Sequence, residues 1–139
     1  NIQLYLKSIM KFRNKKTDEN DFEIIIEKRI SLNELLNEEV SEVEYLEGEK
    51  DFILAHYIGF SGWETMALIN SWGEVCFKGI YSVEVYNKKK GQLLITVQPD
   101  ALSDDLVAYH GLLRSEMYYG VIDLAGRVVG GFSKDRPNF

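Results

Sequence analysis

The stretch from Glu74 to Val97, EVCFKGIYSVEVYNKKKGQLLITV, decides the fold. Its apolar residues recur at every second position on both sides of Asn87-Lys88-Lys89-Lys90-Gly91. A period of two belongs to a strand, because successive side chains point to opposite faces. The spacing predicts a hairpin in which Tyr81, Val83 and Val85 pair with Leu93, Ile95 and Val97 across a glycine-containing loop. Lysines at its tip keep the turn solvated. This hairpin makes the sheet antiparallel.

Upstream, FILAHYIGF (52–60) is apolar on both faces. Phe52, Leu54 and Ile58 lie on one side, with His56 among them, and Ile53, Ala55 and Tyr57 on the other. That pattern predicts a central strand covered from both sides. VEYLEGEKDF before it reads as a strand followed by a turn at Gly48. Between residues 62 and 72, GWETMALINSW reads as a helix, started by a Ser61/Glu64 capping box and stopped by Gly73. A first helix starts at Ser31. Glu34 completes its capping box, Ile30 and Leu35 form a hydrophobic staple, and Leu32, Leu35, Leu36 and Val40 make its apolar side. Before that helix, FEIIIEKRI (22–30) alternates like a strand, NKKTDEN (14–20) is a polar loop, and the opening residues fit either element.

Downstream, Pro99 ends the strand. Ser103 caps a third helix, with Asp104 and Asp105 in the first turn, where the helix dipole favours negative charge. The spacing carries that helix to about Tyr118, with Gly120 as its stop, and places Leu106, His110, Leu113 and Met117 on one apolar stripe. GVIDLAGRVVGGF (120–132) then predicts a last hairpin turning at Ala125-Gly126. It resembles one unit of the short Gly-x-Ile-Asp…Gly-x-Val repeats of some β-repeat proteins, present once here. SKDRPNF (133–139) reads as a frayed tail. The expected architecture is one α+β domain over residues 1–139, mostly antiparallel strands with about three helices packed on a sheet face, and 1–21 unassigned.

At 139 residues, 45% of them hydrophobic, the chain is long enough for one domain with a core that needs no disulfide or metal staple. The single cysteine, Cys76, has no partner for an internal disulfide. With lysine-rich segments and no Asn-x-Ser/Thr acceptor, this reads as a cytoplasmic protein. No apolar run approaches the roughly 20 residues that span a bilayer, and no signal peptide is visible. The first residue is Asn1, which is consistent with a processed or trimmed N-terminus.

The net charge of −6 is concentrated in one place. Residues 31–51 hold eight acids (Glu34, Glu38, Glu39, Glu42, Glu44, Glu47, Glu49 and Asp51) against Lys50 alone, a balance of −7. The segments on either side carry +2 and −1. Such a window repels nucleic acid and membrane surfaces and attracts basic partners.

Motifs for catalysis are weak. Gly59-Phe60-Ser61-Gly62 brings a nucleophile elbow to mind, but Trp63 stands where the second glycine must pack closely, so Ser61 is better read as an N-cap. His56 and His110 sit among apolar residues and read as core histidines. An acid–base site would need one of them beside Asp104, Asp105 or Ser61. Cys76 has no local base. The histidines and cysteine lack zinc-ligand spacing, the acidic window lacks an EF-hand rhythm, and no phosphate-binding glycine loop occurs. Lys88-Lys89-Lys90 and Lys15-Lys16 are scattered basics on an acidic chain, which argues against nucleic-acid binding.

What remains is acidity beside aromatic residues. Glu38, Glu39, Glu42, Glu44, Glu47 and Glu49 would steer a basic protein partner, and Tyr45, Trp63, Trp72, Tyr118 and Tyr119 would anchor it. In size and acidity the chain is similar to bacterial immunity proteins, the small inhibitors that neutralise nuclease toxins. No motif carries that likeness. The sequence-based expectation is a non-catalytic protein-binding module, with no cofactor or metal. The competing expectation is a small enzyme or ligand-binding domain with a pocket at His56 or His110.

Overall fold

The computed structural model describes residues 31–59 and 62–139; the expectations for residues 1–30 and for the cap at Ser61 lie outside the described residues. The chain forms helix α1 (Leu32–Leu36), strands β1 (Val40–Tyr45), β2 (Phe52–Ile58), β3 (Glu64–Asn70), β4 (Val75–Asn87) and β5 (Gln92–Val97), a 3-10 turn (Pro99–Ala101), helix α2 (Asp104–His110), and strands β6 (Tyr118–Asp123) and β7 (Val128–Ser133). The seven strands lie in chain order in one antiparallel sheet. The architecture is a mostly-β α+β meander. Among the described residues no helix is long and apolar enough to cross a membrane.

The β4–β5 hairpin forms where the alternation places it. Val83 faces Ile95 and Asn87 faces Gln92, but irregularities after Ile80 and Val83 shift the register, so that Val85 meets Leu94. Each irregularity adds twist. β4 is long enough to serve two partners: residues up to Ile80 pair with β3, and those from Ile80 onward pair with β5. It therefore hinges two arms, β1–β3 and β5–β7. At the bend Gly79 has φ +110, and a Cβ there would lie 2.7 Å from the Ala101 carbonyl oxygen. Only glycine lets the 3-10 turn rest on the strand.

The arms curl toward each other over one core. Leu54 and Leu68 of the first arm and Phe77 of β4 pack in the same cluster as Leu93, Ile95 and Ile122 of the second arm, and Leu102, Val107 and Leu112 around α2 complete it. Contacts between elements that are not sheet neighbours hold the curl. Tyr86 Oη donates to Glu49 Oε2 at 2.8 Å, and Lys88 Nζ donates to the Gly48 carbonyl at 3.2 Å. A smaller cluster covers the outer face of the first arm, where Leu32 and Leu36 of α1 lie on Val40, Ile53, Ala55, Tyr57, Ala67 and Ile69. β2 is thus apolar on both faces because both are covered. Each fully buried Ile or Leu contributes roughly 1.5–3 kcal/mol.

Local chemistry sets the ends of these elements. Ser31 Oγ accepts from the Glu34 N–H at 3.4 Å, as the capping box requires, and Asn37 stops α1 in the left-handed region at φ 54. Asn33 Oδ1 accepts from the Val40 N–H at 3.0 Å and ties the helix to β1. In the last hairpin Asp123 Oδ1 accepts from the N–H groups of Ala125 and Arg127, both at 2.9 Å, and the turn closes at Gly126. Beyond β7, Lys134 pairs with Glu116 and Arg136 with Glu84. The Ser82 hydroxyl and Arg136 hold the Glu84 carboxyl below its usual range.

Two helix expectations are overturned. The segment 62–72 holds strand β3, not a helix. Leu68 points into the main core, while Ala67 and Ile69 point into the outer one. Pairing with β2 and β4 satisfies the backbone on both edges. Tertiary pairing outweighs the local capping signal here. Gly73 closes a turn, in which Asn70 Oδ1 accepts from the N–H groups of Trp72 and Glu74. The third helix stops at Gly111, in the left-handed region at φ 64, well before Gly120, which lies inside β6. The apolar stripe through Leu113 and Met117 dissolves with it, and both residues are exposed. The described residues contain two α-helices.

Candidate functional site

β1 is one edge of the sheet. Val40 and Val43 turn toward α1. Past the irregularity after Val40, Glu42 sits opposite His56 and Glu44 opposite Leu54. On the next strand His56 sits opposite Met66, and Ile58 opposite Glu64. Alternation therefore gathers Glu42, Glu44, His56, Met66 and Glu64 on the face that carries Leu54 and Leu68. The cover thins past those leucines, where Met66 still packs half-buried against the core. Ile58, two residues past His56, is 65% exposed.

His56 was expected to be a core histidine, and it is instead the centre of a polar cluster. Its Nε2 lies 2.5 Å from Glu44 Oε2 and its Nδ1 lies 3.3 Å from Glu64 Oε1. The imidazole side chain is only 12% exposed, while both carboxylates reach solvent. Glu42 joins them: one ligand atom each of Glu42, Glu44 and His56 lie within 4.8 Å of one another. A shallow cleft of about 320 Å³ opens beside the ring, lined by His56, Glu64, Met66 and Tyr81. Trp63 stacks edge-on against Tyr81, with centroids 5.9 Å apart, and stays 46% exposed.

The acidic window divides. Glu39, Glu42, Glu44 and Glu47 are exposed. Glu38 pairs with Lys78 at 3.1 Å, and that ammonium also donates to the Leu36 carbonyl and lies over the Tyr57 ring. Glu49 accepts from Tyr86, whose phenol is pushed up to about 12 by burial and by the Glu49 carboxylate. Glu38 and Glu49 are therefore structural. The aromatic candidates also separate. Trp63 precedes β3 and Trp72 follows it, so they mark opposite ends of the sheet. Tyr45 is at the exposed end of β1. Tyr118 is buried and its hydroxyl accepts from the Leu113 N–H; Tyr119 is half-buried.

The two histidines belong to different surroundings. His110 ends α2, edge-on to the Tyr109 and Phe132 rings, each at 4.9 Å. Asp104 binds Arg114. Ser61 lies outside the described residues. A second groove, of about 520 Å³, lies between the start of β4 and the 3-10 turn and includes Glu38, Lys78, Cys76 and Leu106. Burial pushes the Cys76 thiol up, away from the thiolate that a nucleophile needs. Tyr57 lies beneath this groove, and burial, then the Glu38 carboxylate, push its phenol well above the usual range. Among the described residues its hydroxyl finds no hydrogen-bond partner; the Gly79 backbone favours the phenolate without reaching hydrogen-bond geometry.

Spacing rules built on His and Cys pairs pass over Glu42-x-Glu44. The signal there is a pair of carboxylates two apart on a strand, and it becomes meaningful only when the register sets His56 opposite. Compared with protein-family models, curated proteins and solved structures, the chain finds no match.

Proposed function

We propose that this chain is a non-catalytic protein-binding module that docks a basic partner on the open end of the first arm. The observation that carries the reading is the edge strand β1, with its exposed Glu42 and Glu44 and with Glu39 just before it, beside a half-exposed Trp63 supported by Tyr81. Exposed carboxylates raise the encounter rate with a cationic surface, and a supported aromatic ring supplies the desolvated anchor that holds it. The concrete form is a cytoplasmic, immunity-type inhibitor of a nuclease toxin. A nuclease fits because its substrate-binding surface must be cationic to hold phosphates.

The test is association kinetics with the captured partner as a function of salt. The triple variant Glu39→Lys, Glu42→Lys, Glu47→Lys leaves the Glu38 and Glu49 ion pairs intact. It should slow association at least about tenfold at low salt, with the difference shrinking as salt rises. Trp63→Ala should speed dissociation. An unchanged association rate in the triple variant sinks the steering mechanism.

A second reading, a ligand-binding or acid–base pocket, is supported by His56 standing between Glu44 and Glu64 beside an open cleft. His56→Gln separates the two. It abolishes a function centred on the imidazole and leaves partner association within a factor of about two, because Gln changes no carboxylate.

A further inference from the structure

We infer that Glu42, Glu44 and His56 form a binding site for one divalent transition cation of the Zn²⁺ class, with Glu64 as a positioning residue. This does not depend on the docking proposal. The donors come from two paired strands, Glu42 and Glu44 two apart on β1 and His56 across from Glu42 on β2. Cross-strand pairing sets the Glu42 and His56 Cβ atoms about 5 Å apart and leaves Glu44 on the diagonal, roughly 7–8 Å from His56 and within reach of a glutamate side chain. Their ligand atoms lie within 4.8 Å of one another. Bonds of about 2.0–2.2 Å to a tetrahedral ion set donor atoms roughly 3.4 Å apart. Rotations of the two exposed glutamates cover that difference. Glu44 moves back from the ring and Glu42 moves in.

The imidazole is prepared for the role. Glu64 Oε1 faces Nδ1 at 3.3 Å. Nε2 points at the carboxylates of β1 and shares a proton with Glu44 across a short contact. A cation taking Nε2 would displace that proton, while the Glu64 carboxylate holds Nδ1–H. This is the outer-shell arrangement that orients a metal-binding histidine. Among the described residues the charge is also without a basic partner. Among the described residues Glu38, Glu49, Glu84, Asp104 and Asp123 each have a Lys or Arg partner, whereas no Lys or Arg pairs with Glu42, Glu44 or Glu64. A dication supplies the missing positive charge.

The donor set selects the metal. One imidazole nitrogen with two carboxylates suits Zn²⁺ and its neighbours. Ca²⁺ asks for six to eight oxygens and Mg²⁺ keeps most of its waters, so neither is well served by three donors of which one is nitrogen. Three protein ligands leave a fourth position open to water.

Isothermal titration of the tag-free chain with ZnCl₂ tests the site, with MgCl₂ and CaCl₂ as competitors. The expected result is one equivalent of Zn²⁺ that excess Mg²⁺ or Ca²⁺ does not displace. Glu42→Gln and His56→Ala should each weaken it at least about tenfold, and Glu64→Gln about 10- to 100-fold. His110→Ala should leave it unchanged. Glu42→Gln alters an exposed side chain and keeps the fold, so the test stands even where His56→Ala is unstable. Co²⁺ should give a visible absorption band that Glu42→Gln weakens. No saturable Zn²⁺ binding up to about 1 mM, binding indifferent to Glu42→Gln, or equal occupancy by Mg²⁺ overturns the assignment. Partner association measured in chelator reports on the docking proposal separately.

Discussion

The two faces of strands β2 and β3 are written in similar residues and meet different fates. On the outer face Ile53, Ala55, Tyr57, Ala67 and Ile69 are buried from end to end, because α1 lies across them. On the inner face Leu54 and Leu68 are buried beneath the second arm, yet two residues further on His56 and Met66 are only partly covered and Ile58 is exposed. Nothing in the alternation of β2 marks where the inner cover stops. A strand's own residues say that both faces can be buried; the length of what lies on top says how far they are. The polar cluster sits at the margin of a core, where an apolar face runs out of cover.

The largest expected effect tests that contrast. Leu68→Ala should cost about 3 kcal/mol in urea unfolding, within the 2–5 kcal/mol typical of buried leucines, because the two arms press on it from both sides of the curl. Met66→Ala, two residues away on the same face and half-buried, should cost less than half as much. Equal losses would mean that the cover extends over His56 after all.

A second effect tests the closure of the arms. Gly126 has φ +88, and a Cβ there would fall on the Cys76 carbonyl, whereas Gly130 has φ +78 with open space around it. Both Ala variants carry the left-handed backbone penalty of about 1–2 kcal/mol. Gly126→Ala should lose about 1 kcal/mol or more beyond Gly130→Ala, since the β6–β7 turn must lift off β4. Thermal or urea melts of the pair separate contact from conformation. If the two are equal, the turn does not bear on β4.

Asp123 comes next. Burial alone would push its carboxyl up, but the hydrogen bonds from Arg127 and Ala125 outweigh burial and hold it below the usual range. A carboxyl with a lowered folded pKa stabilises the fold fully above its unfolded value, near 3.8, and that contribution disappears as pH falls through the folded value. Asp123→Ala should therefore cost about 1 kcal/mol at pH 7 and less below pH 4. A cost that persists at pH 2 would assign the effect to the turn geometry rather than to the charge.

Much of this fold is legible residue by residue. Ser31 with Glu34, the alternation around Val83, the Gly48 turn and the Ala125-Gly126 turn are local, and each forms where short-range chemistry places it. The failures are equally specific. GWETMALINSW has a cap, a stop and helix-forming residues, and only the strands on either side make it β3. The stripe through His110, Leu113 and Met117 fails because Gly111 ends the helix. The site itself was half visible. The acids of β1 stand out in the sequence, but their relation to His56 is a matter of register, set by an irregularity after Val40 that the sequence does not announce.

The smallest effect has the opposite sign and bears on the open margin directly. Glu42, Glu44 and Glu64 surround one imidazole with no Lys or Arg partner among the described residues. Like charges gathered around one side chain on an exposed face are unfavourable, at about the few tenths of a kcal/mol that exposed pairs show. Glu42→Gln keeps size and polarity and removes one charge, so in metal-free, low-salt buffer it should raise stability by about 0.3 kcal/mol. The gain should fade toward zero near 1 M salt, where screening reaches about 3 Å. Added Zn²⁺ should reverse the order, because the cation stabilises the parent chain by mass action and the variant holds it more weakly. A covered face cannot behave this way, since buried leucines answer neither to salt nor to a metal. Stabilities that ignore both would place the carboxylates too far apart to share either a repulsion or an ion.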